Sequence, residues 1–166
     1  MKPIVTSALA LILVATAALG GEKKQDLSLS INTGKDSHAR LASRHETRDA
    51  RLVITTRHGA AVILLLNDAV AVQLTDAAMS EMKTKDDAGF LEELLVSGVR
   101  LALSKAVEYP IAHIRSAEVR DGVLMLTNDE GKPVFNEINI NGENVTHDIA
   151  PSDAVRFVSA FRALKR

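Results

Sequence analysis

The sequence predicts an α+β fold of mostly antiparallel sheet, and three observations carry that prediction. Turn signals at Asp121-Gly122, Asn128–Gly131 and Asn141-Gly142 divide the stretch from Glu108 to Ile149 into four short runs. Asp-Gly and Asn-Gly between strand-like runs favour tight hairpins, because a type I′ turn needs two residues at positive φ. A second set of runs, between Arg51 and Thr75, is split by His58-Gly59 and Asn67-Asp68 and reads as three more strands. Finally, Ser152 to Arg166 carries a single apolar stripe of Ala154, Phe157, Val158, Phe161 and Leu164, the pattern of a helix lying on a sheet. The sum is about seven strands, an inserted apolar helix and a C-terminal amphipathic helix.

The chain opens with Met1-Lys2 and an uncharged apolar run from Ile4 to Leu19. With small residues at Ala18 and Gly20, this ordering reads as an export signal cleaved after Gly20. The run is shorter than the roughly 20 residues that a spanning helix needs. The alternative is an uncleaved N-terminal segment that anchors the chain to a membrane. Cleavage makes the protein periplasmic or secreted and leaves one domain's worth of chain. Of the 20 basic residues only Lys2 is removed, so 19 remain against 21 acidic ones, a net charge of −2. That balance argues against a bulk nucleic-acid binder. There is no Cys, so no disulfide framework supports the core.

Residues 21–49 read as a polar N-terminal segment ahead of a single domain at 50–166. Within the segment, Asp26 to Asn32 alternates and suits a strand. Arg40, Arg44, Arg48 and Arg51 follow at spacings of four, four and three. On a helix they would share one face and offer an anion-binding stripe, suited to peripheral contact with acidic lipid headgroups. Asp36, Glu46 and Asp49 are interspersed, so a solvated face of compensated charge is the plainer reading.

Arg51–Thr56, Ala60–Leu66 and Ala69–Thr75 are the strands of the first meander. Thr75 or Asp76 caps a short helix to about Lys83. Phe90 to Val107 then reads as a helix whose polar stripe is only Glu93, Ser97, Arg100 and Ser104. Leu91, Leu94, Leu95 and Leu101 stand among its apolar residues. Such a helix is clamped between the sheet and another element, or it offers a greasy surface to a protein partner or a second copy of the chain. In the second meander, Pro110 suits the start of a strand because it lacks a donor. Val123 to Thr127 shows little polar alternation and reads as a central strand covered on both faces. Lys132–Ile140 and Glu143–Ile149 complete the set, and Pro151 or Ser152 begins the last helix.

Three strands, a helical insertion, four strands and a closing helix resemble the pleckstrin-homology-like barrel. The resemblance covers residues 50–166 and rests on element order. Its local texture is Tyr109-Pro110 leading into Ile114, the Asp121-Gly122 hairpin, Gly131 to Phe135, and Asp153 to Lys165. In layout the chain also resembles small exported bacterial proteins. A two-layer sheet covered by two helices accounts for the same order of elements.

The chemistry-bearing residues point away from catalysis. His38, His45, His58, His113 and His147 are scattered, and His45-Glu46 lacks the second His of a zincin motif. No nucleophile elbow, phosphate loop or dinucleotide fingerprint occurs. The acidic pairs Asp86-Asp87 and Asp129-Glu130 fall in turns and supply too few oxygens for a Ca²⁺ loop. No catalytic, cofactor-binding or metal-ligating residue is assigned, and no cofactor is called for. If the chain were an unrecognised periplasmic enzyme, His113, His147 and Asp121 would be its acids and bases. With five aromatic residues and no Trp, stacking platforms for sugars or bases are not evident. Asn144-Val145-Thr146 fits the glycosylation pattern, which matters only in a eukaryotic secretory path. The leading expectation is an exported non-catalytic binding module with a protein partner or self-association. Envelope association through anionic lipid is the alternative.

Overall fold

The computed structural model of the chain describes residues 29–31, 38–84, 105–136, 138–140 and 142–165. The described strands are β1 (Leu29–Ile31), β2 (Arg40–Ser43), β3 (Leu52–Thr55), β4 (Ala61–Leu65), β5 (Ala69–Leu74), β6 (Lys105–Pro110), β7 (Ile114–Arg120), β8 (Val123–Asn128), β9 (Ile138–Ile140) and β10 (Glu143–Asn144). Among the described residues two α-helices join them, α1 (Asp76–Thr84) and α2 (Pro151–Leu164). The class is α+β and every ladder is antiparallel. The strands form three separate sheets and do not close into a barrel: five strands in the order β2-β6-β5-β4-β3, the pair β7-β8, and three strands in the order β1-β9-β10.

The five-stranded sheet contains the first meander where the sequence places it. β4 and β5 are buried at every position, which explains their unbroken apolar runs. Their alternate residues feed two clusters. Ile63, Leu65, Val70 and Val72 join the main core, whereas Val62, Leu64, Ala69 and Ala71 belong to a second cluster on the other face. Gly59 takes φ +70 in the β3–β4 turn, a conformation that a side chain strains. Thr75 ends β5 and starts α1. Its hydroxyl oxygen accepts from the Ala78 N–H at 3.1 Å and its proton goes to the Gly59 carbonyl at 2.8 Å.

Strand β2 comes from the segment read as polar, in which a helix is only the condition for an arginine stripe. It pairs with β6 in the register Arg40↔Glu108 to Ser43↔Lys105, so the sheet begins ahead of residue 50. Three of its four residues are exposed, as befits an edge strand, and so it carries no apolar signature. Lys105–Val107, expected as the end of a helix, is instead the start of β6, where cross-strand pairing to β5 and β2 outweighs local propensity. The rest of that expected helix lies outside the described residues. Pro110 closes β6 rather than opening a strand. A 3-10 turn over Ile111–His113 follows, fastened by the Ile111 N–H to the Asp68 carbonyl at 2.8 Å.

The second meander is only partly continuous. β7 and β8 form the expected hairpin, with Asp121 at φ +51 and Gly122 at φ +80 in a turn of the I′ kind. β8 is not covered on both faces, because its burial alternates and β7 is its one ladder partner among the described residues. The Asn128 side chain accepts the N–H groups of Glu130 and Lys132 and so fixes the next turn. The strand expected at Lys132–Ile140 breaks up. Pro133 makes a single bridge to Thr127, Phe135 adopts φ +63, and regular pairing resumes only at Ile138. From there β9 pairs with β1 and β10, not with β8.

Helix α2 packs on β7, β8 and β3 through the stripe that its sequence shows. Ala154, Phe157, Val158 and Phe161 are buried, and the two rings lie near-parallel with centroids 6.4 Å apart. Burying a side chain of this size stabilises by roughly 1.5–3 kcal/mol. The helix end is tied down by Lys165, which donates to the Ile114 carbonyl and lies over the Phe161 ring.

Candidate functional site

The outer side of β8 and the chain that follows it enclose a hollow of about 270 Å³. Its apolar wall is Leu124, Met125, Leu126, Pro133 and Val134. Lys132 and Val134 still bond to β8, through the Asn128 N–H to the Lys132 carbonyl and the Val134 N–H to the Leu126 carbonyl, and this pairing ends where Phe135 takes φ +63. The polar rim of the hollow is Asn136, Asn144, Thr146 and His147. Asn144 organises that rim. Its amide nitrogen donates to the carbonyls of Phe135 and Asn136 at 3.0 and 2.8 Å, and its oxygen accepts from the Thr146 N–H and hydroxyl at 2.9 and 2.7 Å. The amide of the glycosylation sequon is thereby committed inside the fold.

The same loop carries a second group of polar side chains. Asp148 lies against the β3–β4 turn, where its backbone carbonyl accepts from the Arg57 N–H at 2.7 Å. Its carboxylate Oδ1 is 2.8 Å from His58 Nδ1 and 3.5 Å from Arg57 Nε. Glu143 Oε2 is 3.6 Å from the same His58 nitrogen. His58, Glu143 and Asp148 therefore bring one nitrogen and two carboxylates together, all within 4.8 Å. Arg57 also donates to the His147 carbonyl at 3.0 Å, tying this group to the rim of the hollow.

The third polar cluster sits on the β2–β6 edge. Glu108 is buried and accepts from Arg40 Nε at 2.7 Å, with His45 Nε2 on its other oxygen. Gln73 holds the His45 backbone through both its amide atoms, at 2.9 and 3.0 Å. This cluster separates the four arginines that the sequence suggests as one stripe. Arg40 is on β2 facing Glu108, and Arg44 is bound to Asp76 and the Leu74 carbonyl. Arg48 lies in a 3-10 turn, and Arg51 donates to the Asn67 side chain at 2.6 Å. They do not share a helical face, because residues 40–43 are a strand and the arginines take partners from different elements.

The acids and bases named from sequence occupy different surroundings. His113 stacks on His38, with ring centroids 3.8 Å apart, and its Nδ1 is 3.4 Å from Asp129. His147 is on the rim of the hollow, and Asp121 is in the β7–β8 turn. Leu91, Leu94, Leu95 and Leu101 lie outside the described residues. The hollow and the His58 group were not foreseen, since each joins residues far apart in the chain. The His58-Gly59, Asn128–Gly131 and Asn141-Gly142 turn signals marked the loops involved.

No family model, curated protein or solved structure matches the chain. No helix among the described residues is long and apolar enough to cross a membrane.

Proposed function

We propose that the chain is an exported, non-catalytic binding module that receives an apolar side chain of a protein partner in the hollow beside β8. The observation that carries this reading is the hollow itself: an apolar wall, a polar rim, and His147 as its one ionisable lining residue among those described. At about 270 Å³ it is slightly smaller than sites for drug-sized ligands, roughly 300–1,000 Å³, and matches one or two side chains. The Asn144 side chain is already satisfied within the protein, so it offers little with which to orient a polar small molecule. An apolar hollow with a hydrogen-bonded rim suits an anchor residue of a partner. In element order the pleckstrin-homology-like resemblance agrees with a binding role, although a frame of that kind hosts many functions.

The test is crosslinking of the tagged protein in its own cells, with and without Met125→Lys. Met125 is half-buried on the wall, so the ammonium group enters the hollow without opening the core. A recurrent partner captured by the native protein and lost from the folded variant supports the reading. Capture that survives Met125→Lys and disappears on charging Leu94 or Leu101 moves the surface to that segment and overturns it.

A further inference from the structure

We propose that His58, Glu143 and Asp148 bind a divalent transition-metal cation. The site is independent of the hollow's role and rests on two observations. The first is donor geometry. The His58 Nδ1 to Asp148 Oδ1 separation is 2.8 Å and the His58 Nδ1 to Glu143 Oε2 separation is 3.6 Å. Donors about 2.1 Å from a zinc-sized ion stand roughly 3.0–3.4 Å apart in octahedral or tetrahedral arrangements. A small adjustment of the exposed His58 and Glu143 side chains brings the three donors to one ion.

The second observation is the state of Asp148. Its side chain is only 9% exposed. Its one short hydrogen bond is to His58 Nδ1, while His58 N and Arg57 Nε stand at 3.4 and 3.5 Å. Those partners all come from His58 and Arg57, so the charge of this nine-tenths buried carboxylate is met from one turn alone. A cation at its Oδ1 compensates that charge directly.

The donor set selects the ion. One imidazole with two carboxylates suits Zn²⁺, Co²⁺, Ni²⁺ or Mn²⁺, whereas Ca²⁺ requires six to eight oxygens. Coordination through Nδ1 places the imidazole proton on Nε2. Three protein ligands leave at least one position for water or a ligand atom. The ion staples the β3–β4 turn to β10 and the loop after it. The competing arrangement is an ion-pair clamp without metal, in which Arg57 and a protonated His58 neutralise Asp148. The two arrangements differ in what Arg57 does: beside a cation its guanidinium repels, and in the clamp it attracts.

The experiment is titration of the metal-stripped protein with Zn²⁺ and with Co²⁺, read by calorimetry and by the Co²⁺ absorption bands. One equivalent of ion per chain is expected. Glu143→Gln and His58→Gln each lower affinity by roughly tenfold or more, since loss even of groups supporting a ligand costs 10–100-fold. Arg57→Gln tightens binding. Far-UV circular dichroism confirms that each variant is folded, and Glu143 is exposed enough for its variant to remain so. No saturable uptake overturns the proposal. So does uptake unchanged in the folded Glu143→Gln protein, uptake lost only in His113→Gln, or Arg57→Gln binding no better than the native chain.

Discussion

Asp148 and His58, 90 positions apart in sequence, meet through a 2.8 Å contact between carboxylate Oδ1 and imidazole Nδ1. The contact joins the turn after β3 to the loop after β10. That loop forms the rim of the hollow at one end and leads into α2 at the other. The polar rim, the His58 group and the docking of α2 are thus three consequences of one loop's path.

The docking of α2 rests on its two rings. Phe157 is fully buried against the main core. Phe157→Ala should destabilise the protein by about 3–5 kcal/mol, the usual cost of removing a buried ring. Chemical denaturation measures this, and a loss below about 1 kcal/mol would show that the helix is not held by its stripe.

Glu108 anchors β2 to the sheet. Glu108→Ala removes the acceptor shared by Arg40 and His45 and should cost about 1–3 kcal/mol. Hydrogen exchange in residues 40–43 should rise in the same variant. Unaltered protection there would mean that backbone pairing alone holds the edge.

Gly122 tests the β7–β8 hairpin. Its φ of +80 is strained for any residue with a side chain, and an added Cβ would stand 3.4 Å from Pro151 Cγ, ordinary contact. Gly122→Ala should therefore cost about 1–2 kcal/mol from backbone strain alone. Thermal melting reads the effect. A neutral substitution would argue against this turn conformation.

Glu130 gives a pH signature. The Lys132 side chain hydrogen-bonds and attracts its carboxylate, holding the pKa below the ordinary value. Because the folded pKa is the lower one, its stabilising contribution is complete above the unfolded pKa and is lost as pH falls through the folded pKa. NMR titration should show the Glu130 pKa rising in Lys132→Ala. An unchanged value would remove Lys132 as the cause.

How much of this was legible in the sequence depends on where the information lies. β3, β4 and β5 are marked by apolar runs and by His58-Gly59 and Asn67-Asp68 between them. The Asp121-Gly122 hairpin and α2 carry equally local signals. β2 was not legible, because an exposed edge strand has no apolar pattern and its main tie is the distant Glu108. Four arginines at helical spacing suggested a face that the Arg40–Glu108 pairing rules out. Lys105–Val107 was drawn into the preceding apolar run, since periodicity alone does not separate a buried strand from a buried helix. For the His58 group only the turns carried a signal: its members become neighbours only when the β3–β4 turn meets β10 and the loop after it.

The most direct measurement of the binding role is site-specific photocrosslinking from two positions in the exported protein. A photoreactive residue at Asn136 samples the rim of the hollow, and one at Val155 samples the exposed outer face of α2. The hollow as the docking site predicts a discrete protein adduct from position 136, none from position 155, and loss of the adduct when Met125→Lys is added. Equal adducts from both positions, or an adduct at 136 that persists with Met125→Lys, would contradict it.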